Sequence, residues 1–489
     1  MCANDSLPES SPYEISIEIA DSEVGSVEAQ FKERDSHRKN KEKSKLSYPK
    51  ELIVRFRSSR DADHFCQLVH HNLNYSDKSF IFRAQEYEQI GVLNKSFSFS
   101  GKMPLRKQSK RNQDWRTLWT HMPSFQQENN DWIFHSVKVI CESAEDYGAL
   151  ANTLRQYLKL STTVIYHPTW VPSNLKQWVW KSNLPASEKA PRYPIFIISR
   201  GRAYSRYTAK ALEELGVFYY LVVEPNELDA YESVTDESKG KVLALPFDTD
   251  TSNPTGPGRA RNWCWDYARQ VLKSRRHWVM DDNIQAFHRL EKNRRLEVGD
   301  GTMFRVMEDF VDRFSNVMVA GPNYRFFAAP KQELPPFVLN TRIYSCLLIH
   351  NECPHRWRER YNEDTILALD VLTDKDENGK PRFCTIQFNA FLQDKIVTQR
   401  LMGGNTEVFY HAEGGDYSKL NYNATGTVRK SLTLEKAYPK YASVVIRYDR
   451  VHHHVDYSSF KANQLVFNPS CNAPTDPDYG MMLVNRYKD

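Results

Sequence analysis

Four apolar runs in the sequence end on residues that could do chemistry. IFIIS (195–199) leads into Ser199-Arg200-Gly201, VFYYLVVE (217–224) ends at Glu224-Pro225, VLALPF (242–247) at Phe247-Asp248, and HWVMDDN (277–283) at Asp281-Asp282-Asn283. Runs of this kind suit parallel strands buried on both faces, and an open α/β sheet takes its ligands beyond the carboxyl ends of its strands. Two adjacent acids after a buried run need water, a cation or a partner, because burying them alone is costly. Their oxygens suit Mg2+ or Mn2+, ions that bridge phosphates, and they equally suit solvent at a strand end. Thr255-Gly256-Pro257-Gly258-Arg259-Ala260-Arg261-Asn262 opens a helix. Gly-rich backbone at a helix N-terminus with two arginines fits a pyrophosphate, although the same residues also make an ordinary turn.

A second constellation is Tyr361-Asn362-Glu363-Asp364-Thr365, followed by apolar Ile366, Leu369 and Leu372. Asn362 is the expected N-cap, leaving Glu363 and Asp364 in the first helical turn. The macrodipole favours acids there whatever their role, and a carboxylate at a crevice could also take a proton from an attacking hydroxyl. Lys395, the loop Gly403-Gly404-Asn405 and the run His452-His453-His454 complete the set. Adjacent histidines on a strand point to opposite faces, so at most two serve one site.

The elements that position these residues emerge from length, charge and pattern. A chain of 489 residues is expected to hold two or three domains, and 40% hydrophobic with 26% charged residues is a globular balance. The 66 basic residues against 61 acidic ones give a net +5, too small over this length to indicate a nucleic-acid partner by itself. Eight scattered Cys with no C-x-x-C motif fit a reducing compartment, the cytoplasm. The acidic, Pro-containing N-terminus lacks signal-peptide character, and no run reaches 18 apolar residues, so no membrane association is expected.

Residues 1–48 read as a disordered head, acidic and then basic. Residues 49–170 read as a small α/β domain built on an internal repeat: LIVRFRSSRDADHFCQLVHHNL from Leu52 and VKVICESAEDYGALANTLRQYL from Val137 align at an offset of 85. Each copy is an alternating strand and an amphipathic helix, closed by a short β-type run (79–82 and 163–168) whose register slips by one residue. Residues 171–190 read as a linker, 191–470 as alternating strands and helices, and 471–489 as a C-terminal tail. Basic stretches at 31–50, 101–116 and 259–276 are candidate DNA-backbone contacts or solvated charge runs.

Taken together, the S-R-G turn, the strand-end Glu, the G-R-x-R-N helix start, M-D-D-N, N-E-D-T, G-G-N and H-H-x-V-D-Y resemble a GT-A type glycosyltransferase. More narrowly, they resemble the TET-associated glycosyltransferases of phages, which are linked to sugar transfer onto hydroxymethylated pyrimidines in DNA and have a relative in a eukaryotic protein glycosyltransferase domain. The resemblance covers roughly 191–470. It implies a Rossmann-like open mixed sheet with helices on both faces, preceded by the small α+β domain with two strand–helix–strand repeats. It implies a cytoplasmic enzyme, in the host cytoplasm if phage-encoded, that takes a UDP-sugar donor and DNA containing 5-hydroxymethylcytosine or 5-hydroxymethyluracil. Ser199, Arg200, Glu224, Gly258, Arg259, Arg261, Asn262 and Asp281 would bind the nucleotide-sugar. Asp281, Asp282, Asn283 and His453 would hold a divalent metal (Mn2+ or Mg2+), with Asn283 departing from the acid usual at the third position. Glu363-Asp364 would supply the catalytic base of an inverting reaction, Asp364 being the expected base. Lys395, Gly403, Gly404 and Asn405 would lie on the acceptor or sugar side. Tyr324, Phe326 and Phe327 could stack on an extruded base or sit in the core. Two alternatives keep the sequence but change the role: a protein Ser or Thr acceptor, or a DNA-binding module that has lost catalysis.

Overall fold

A computed structural model describes residues 16–27, 29, 51–56, 59–74, 77–83, 99–100, 115–125, 135–156, 158, 164–167, 178–249, 256–292, 294–328, 334–396, 403–404, 425–447, 450–471 and 476–486. The chain divides into a smaller unit of residues 38–113 and 128–175 and a larger unit of 1–37, 114–127 and 176–489.

The smaller unit holds β1 (Glu51–Phe56), α1 (Ser59–Leu68), β2 (Ser79–Phe82), β3 (His135–Cys141), α2 (Ala144–Thr153) and β4 (Val164–Tyr166), with sheet order β2-β3-β1-β4. Its central pair is antiparallel, Leu52 facing Val139, Ile53 facing Lys138 and Val54 facing Val137. Moving each residue by the repeat offset maps this pairing onto itself, so the two copies are related by a local dyad at Ile53/Lys138. The outer strands obey the same rule: Phe80 pairs with Val139 and Ile165 with Val54, both in parallel. The expected one-residue slip is therefore absent. Each repeat lends its last strand to the first strand of the other, which keeps Phe80 and Ile165 on the buried face with Leu52, Val54, Val137 and Val139. A slip would turn those side chains to the opposite face. Helix α2 is started by a reciprocal capping box between Ser143 and Asp146.

Residues 49–170 do not form one continuous domain. Trp119, Met122 and Phe125 belong to the core of the larger unit, where Trp119 meets Phe310 and Phe337 at ring distances of 5.1 and 5.9 Å. The aromatic content of this segment, hidden behind its basic start, explains that placement.

The larger unit is built on one mixed sheet. Its elements are β5 (Trp178–Ser182), β6 (Ile195–Ile198), α3 (Tyr207–Glu214), β7 (Tyr219–Val223), β8 (Gly240–Ala244), α4 (Gly258–Asp266), β9 (Arg276–Asp281), β10 (Ile284–Glu291), β11 (Arg294–Glu297), α5 (Thr302–Asp312), β12 (Val317–Tyr324), β13 (Phe337–Leu339), β14 (Cys346–His350), α6 (Glu363–Thr373), β15 (Cys384–Lys395), α7 (Thr425–Ala437), β16 (Ala442–Arg447), β17 (Arg450–Val455) and β18 (Met481–Asn485). The order is β8-β7-β6-β9-β14-β12-β15-β10-β11, with β13 also on β15. Strands β8, β7, β6 and β9 are mutually parallel, and β14 runs antiparallel to β9.

Alternation along β6 shows why a continuous apolar run was needed. Ile195 and Ile197 pack with α3 and α5 residues such as Leu212, Phe304 and Phe310, while Phe196 packs with Trp263, Cys264 and Tyr267 around α4. Helix α6 lays Leu367 and Val371 against Val279, Leu347 and Ile349. Helices thus cover both faces.

Three expectations about the ends of the chain change. The linker contains β5, which pairs antiparallel with β18 of the tail, Trp180 opposite Leu483. Val179 and Met481 are buried, and the Arg289 guanidinium lies 4.0 Å over the Trp180 ring. The head is placed at 16–27, where Val24 is buried with Val428, Leu432 and Val451 and Ser16 donates to Glu359. Residues 31–50 lie outside the described residues, as do 101–114. Among the described residues no helix is long and apolar enough to cross a membrane, and the cysteines form no disulfide.

Candidate active site

The carboxyl ends of the parallel strands open on a cavity of about 320 Å³. At one end Ile198, Val222, Leu245 and Phe247 make an apolar wall, continued by Glu224. Glu224 receives Arg200 Nε at 3.1 Å and the Thr249 backbone N–H at 3.2 Å. Arg259, in the first turn of α4, stacks its guanidinium 3.7 Å over the Phe247 ring. Among the described residues no carboxylate pairs with Arg259. An apolar wall, a helix N-terminus and an unneutralised arginine together can hold a flat apolar group joined to an anion.

The middle of the cavity is a charge network at the end of β9. Asp281 accepts from Arg261 Nη2 at 2.7 Å, Lys395 Nζ at 2.6 Å and Ser345 Oγ at 2.7 Å. These cations hold its carboxyl well below the usual range in spite of its burial, and Asp281 in turn holds Lys395 protonated above its ordinary value despite burial. Arg261 also donates to Glu363 at 3.0 Å and to Asp364. One guanidinium therefore ties the M-D-D-N strand end to the N-E-D-T helix start. Arg261 itself is sealed, 2% exposed, and its three carboxylates more than offset the burial that opposes its charge.

Asp364 receives Trp357 Nε1 at 3.1 Å and the Ser345 N–H at 3.4 Å. Burial pushes its carboxyl up to about 6, against the pull of Arg261 and with help from Glu363 and Asp281. A carboxylate near neutrality in a cleft is suited to taking a proton. Asn362 does not cap α6 with its side chain. It adopts a left-handed φ of 56°, and its amide donates to the Lys430 carbonyl, binding the helix start to α7.

Asp282 is pinned differently. Arg202 and Ser199 Oγ occupy its two oxygens, the latter at 2.7 Å, and Arg202 continues to the Gly403 carbonyl at 2.9 Å. Burial lifts the Asp282 carboxyl above its usual range, although Arg202 and Ser199 oppose this. Gly403, at φ +79°, packs against the Gly201 turn, where a Cβ would come within 2.7 Å of the Gly201 carbonyl oxygen. A side chain there would push the loop off the strand end.

Of the other residues named from sequence, Asn283, Gly404 and His453 line the same cavity. Burial, Lys430 and Arg342 lower His453 to about 3, so its imidazole is neutral. Asn262 does not line the cavity as expected: both ends of its amide clasp the Trp357 backbone, at 2.8 and 3.1 Å, which sets the indole that reaches Asp364. Gly258 begins α4 without lining the cavity, and Asn405 lies outside the described residues. Within 259–276, Arg261 and Arg276 are buried in ion pairs, which leaves Arg269, Lys273 and Arg275 exposed. Phe326 and Phe327 are not core residues: they are 65% and 43% exposed. Phe326 stacks on Tyr324 at 5.4 Å and Tyr324 on Tyr344 at 6.0 Å, and both tyrosines line the cavity.

Sequence reasoning missed Arg202, Ser345, Trp357 and Tyr344. Arg202 carried a signal, standing two residues after Arg200 at the same strand end. Ser345 and Trp357 carried none, because their contacts come from the antiparallel return of β14 and from the Asn262 clasp.

The divalent cation implied by the resemblance does not fit this donor set. The oxygens of Asp281 and Asp282 are occupied by protein cations and hydroxyls, and Asn283 turns its amide nitrogen to the Ile396 carbonyl at 2.8 Å. Among the described residues no group of three or more His, Cys, Asp or Glu is arranged to hold a metal.

A mixed α/β sheet with a charged cleft at its strand ends is compatible with an α/β glycosyltransferase. Residues 193–404 match the family model described as TET-Associated Glycosyltransferase, and this part of the chain is similar to that family of enzymes. A search of curated proteins gave no match to the chain.

Proposed function

We propose that this glycosyltransferase moves a sugar from a UDP-sugar to the hydroxymethyl group of 5-hydroxymethylcytosine or 5-hydroxymethyluracil in DNA, with inversion at the anomeric carbon. The observation that carries the reading is Arg261, which brings the acid at the end of β9 and the acids at the start of α6 onto one guanidinium. The strand order, four parallel strands followed by an antiparallel β14, supports a GT-A type sheet.

In this reading the uracil lies on the wall of Ile198, Val222 and Phe247, with Glu224 and Arg200 at its edge. The diphosphate faces Arg259 and the N-terminus of α4. Asp364 takes the proton of the acceptor hydroxyl as its oxygen bonds to the anomeric carbon. The bond from that carbon to the diphosphate oxygen breaks, and its electron pair leaves with UDP. Because attack and departure lie on opposite sides, one displacement inverts the centre. The aromatic series Phe326, Tyr324 and Tyr344 leads from the surface to this point and suits a base drawn out of its stack. Exposed Arg269, Lys273 and Arg275 suit phosphates.

Incubation with UDP-sugars and DNA containing either hydroxymethylpyrimidine, followed by mass analysis of the nucleosides, tests the proposal. A sugar adduct on the hydroxymethyl base is expected. Labelling of protein hydroxyls instead would replace the acceptor, and no adduct with any common donor would overturn the reading.

A further inference from the structure

We propose that the chain's own cations, Lys395 and Arg259, neutralise the donor's diphosphate, so that nucleotide binding and sugar transfer need no divalent metal. This rests on the nucleotide-sugar reading above and adds to it the source of the positive charge.

Asn283 stands at the third position of the D-D-N within M-D-D-N. An acid there would complete a set of metal-binding oxygens, but Asn283 is neutral and serves another purpose. Its Nδ2 donates to the Ile396 carbonyl at 2.8 Å, and the Ile396 N–H donates back to the Asn283 carbonyl at 2.9 Å. This reciprocal pair fastens the chain just past β15, whose last residue is Lys395. Register does the rest, since Ile284, next to Asn283, lies directly opposite Lys395 in the β10–β15 pair. The residue that weakens a metal site thus holds a lysine in its place.

Lys395 arrives where a metal would have to bind. Its ammonium lies 2.6 Å from Asp281 Oδ2 and 2.7 Å from Ser345 Oγ, and Arg261 takes the other Asp281 oxygen. A dication on Asp281 would have to displace or adjoin two fixed positive groups, and like charges at contact distance in a largely buried site repel strongly. Asp282 offers no substitute, because Arg202 and Ser199 already use both its oxygens. The β9 acids therefore position protein cations. Lys395 keeps only part of its charge satisfied by Asp281, which it shares with Arg261. Arg259 has a ring beneath it and, among the described residues, no acid beside it. Both side chains line the cavity that the diphosphate would enter.

Calorimetric titration of UDP into the full chain, in excess EDTA and again with Mn2+ or Mg2+, tests this. The affinity should be the same in all three conditions, and transfer to hydroxymethylated DNA should persist in EDTA. Lys395→Met should weaken UDP binding about tenfold or more, the worth of one charge-assisted contact, with or without metal. Arg259→Met, further from the buried network, should do likewise and guards against a folding defect in the first variant, which its thermal midpoint would reveal. Binding or transfer that requires a metal overturns the inference and leaves the donor reading standing, as does UDP affinity unchanged in both variants. Failure of UDP to bind in any condition overturns the donor reading and this inference with it.

Discussion

Strand β9 starts in one buried charge cluster and ends in another, and the two are built for different ends. At its start Arg276, wholly buried, donates to Asp312 at 2.8 Å and to the Val317 carbonyl at 2.9 Å. Asp312 also accepts from the Tyr193 hydroxyl at 2.6 Å. At its finish Asp281 meets Arg261, Lys395 and Ser345. The first cluster is enclosed between α5 and the sheet. The second opens on a cavity with an arginine that, among the described residues, has no acid beside it, and with a carboxyl raised to about 6. Buried charge alone does not mark a site. Charge left partly unanswered at the carboxyl ends of strands, beside open space, does.

The largest expected effect tests the open cluster. Asp364→Asn should lower sugar transfer about a hundred- to ten-thousandfold, the usual worth of a general base, with the thermal midpoint near that of the parent. Comparable turnover in the variant would mean that this end is structural too. Arg276→Met tests the closed cluster by taking from Asp312 its one buried guanidinium among the described residues and leaving it the solvent-exposed Arg192 at 3.4 Å. It should cost about 3–5 kcal/mol of stability in urea unfolding, with turnover per folded molecule unchanged. A variant that stays fully stable but inactive would erase the distinction between the two ends.

Two smaller effects sharpen the picture of the open end. Phe326→Ala should weaken acceptor DNA by about 1–3 kcal/mol, as for one stacked base, and should not alter UDP affinity. An unchanged KM for DNA would detach the aromatic series from the acceptor. The pH profile of kcat/KM should show an acid limb set by Asp364. Its carboxyl is raised to about 6 by burial, so the base form fills as pH rises through that value and activity is lost below it, by about tenfold at one unit lower. A limb near the ordinary carboxylate range would show that Asp364 is not the group that titrates.

Much of the sheet was legible because the signal was local. Runs such as IFIIS and HWVMDD need burial on both faces, and their ends name the residues that reach the cavity. The family was legible for the same reason, in the order of short motifs between 193 and 404. What sequence could not convey were contacts made across long separations. Strand β5 looked like a linker because its mate β18 lies at the far end of the chain. Asn262 looked like a ligand-binding amide, but its partner is the backbone of Trp357, which folding alone brings to it. The repeat offset was readable, yet its last strands appeared slipped, because pattern matching lacks the pairing that keeps Phe80 and Ile165 in equivalent places. Asn362 had the right type for a cap, and the neighbouring Lys430 carbonyl claimed its side chain instead.

A crystal structure of the chain with a UDP-sugar bound, grown in EDTA, tests the central claim most directly. The account predicts the diphosphate between Arg259 and Lys395 and the Asp364 carboxylate facing the anomeric carbon from the side opposite the leaving group. A nucleotide seated elsewhere, or an anomeric carbon out of reach of Asp364, would contradict it.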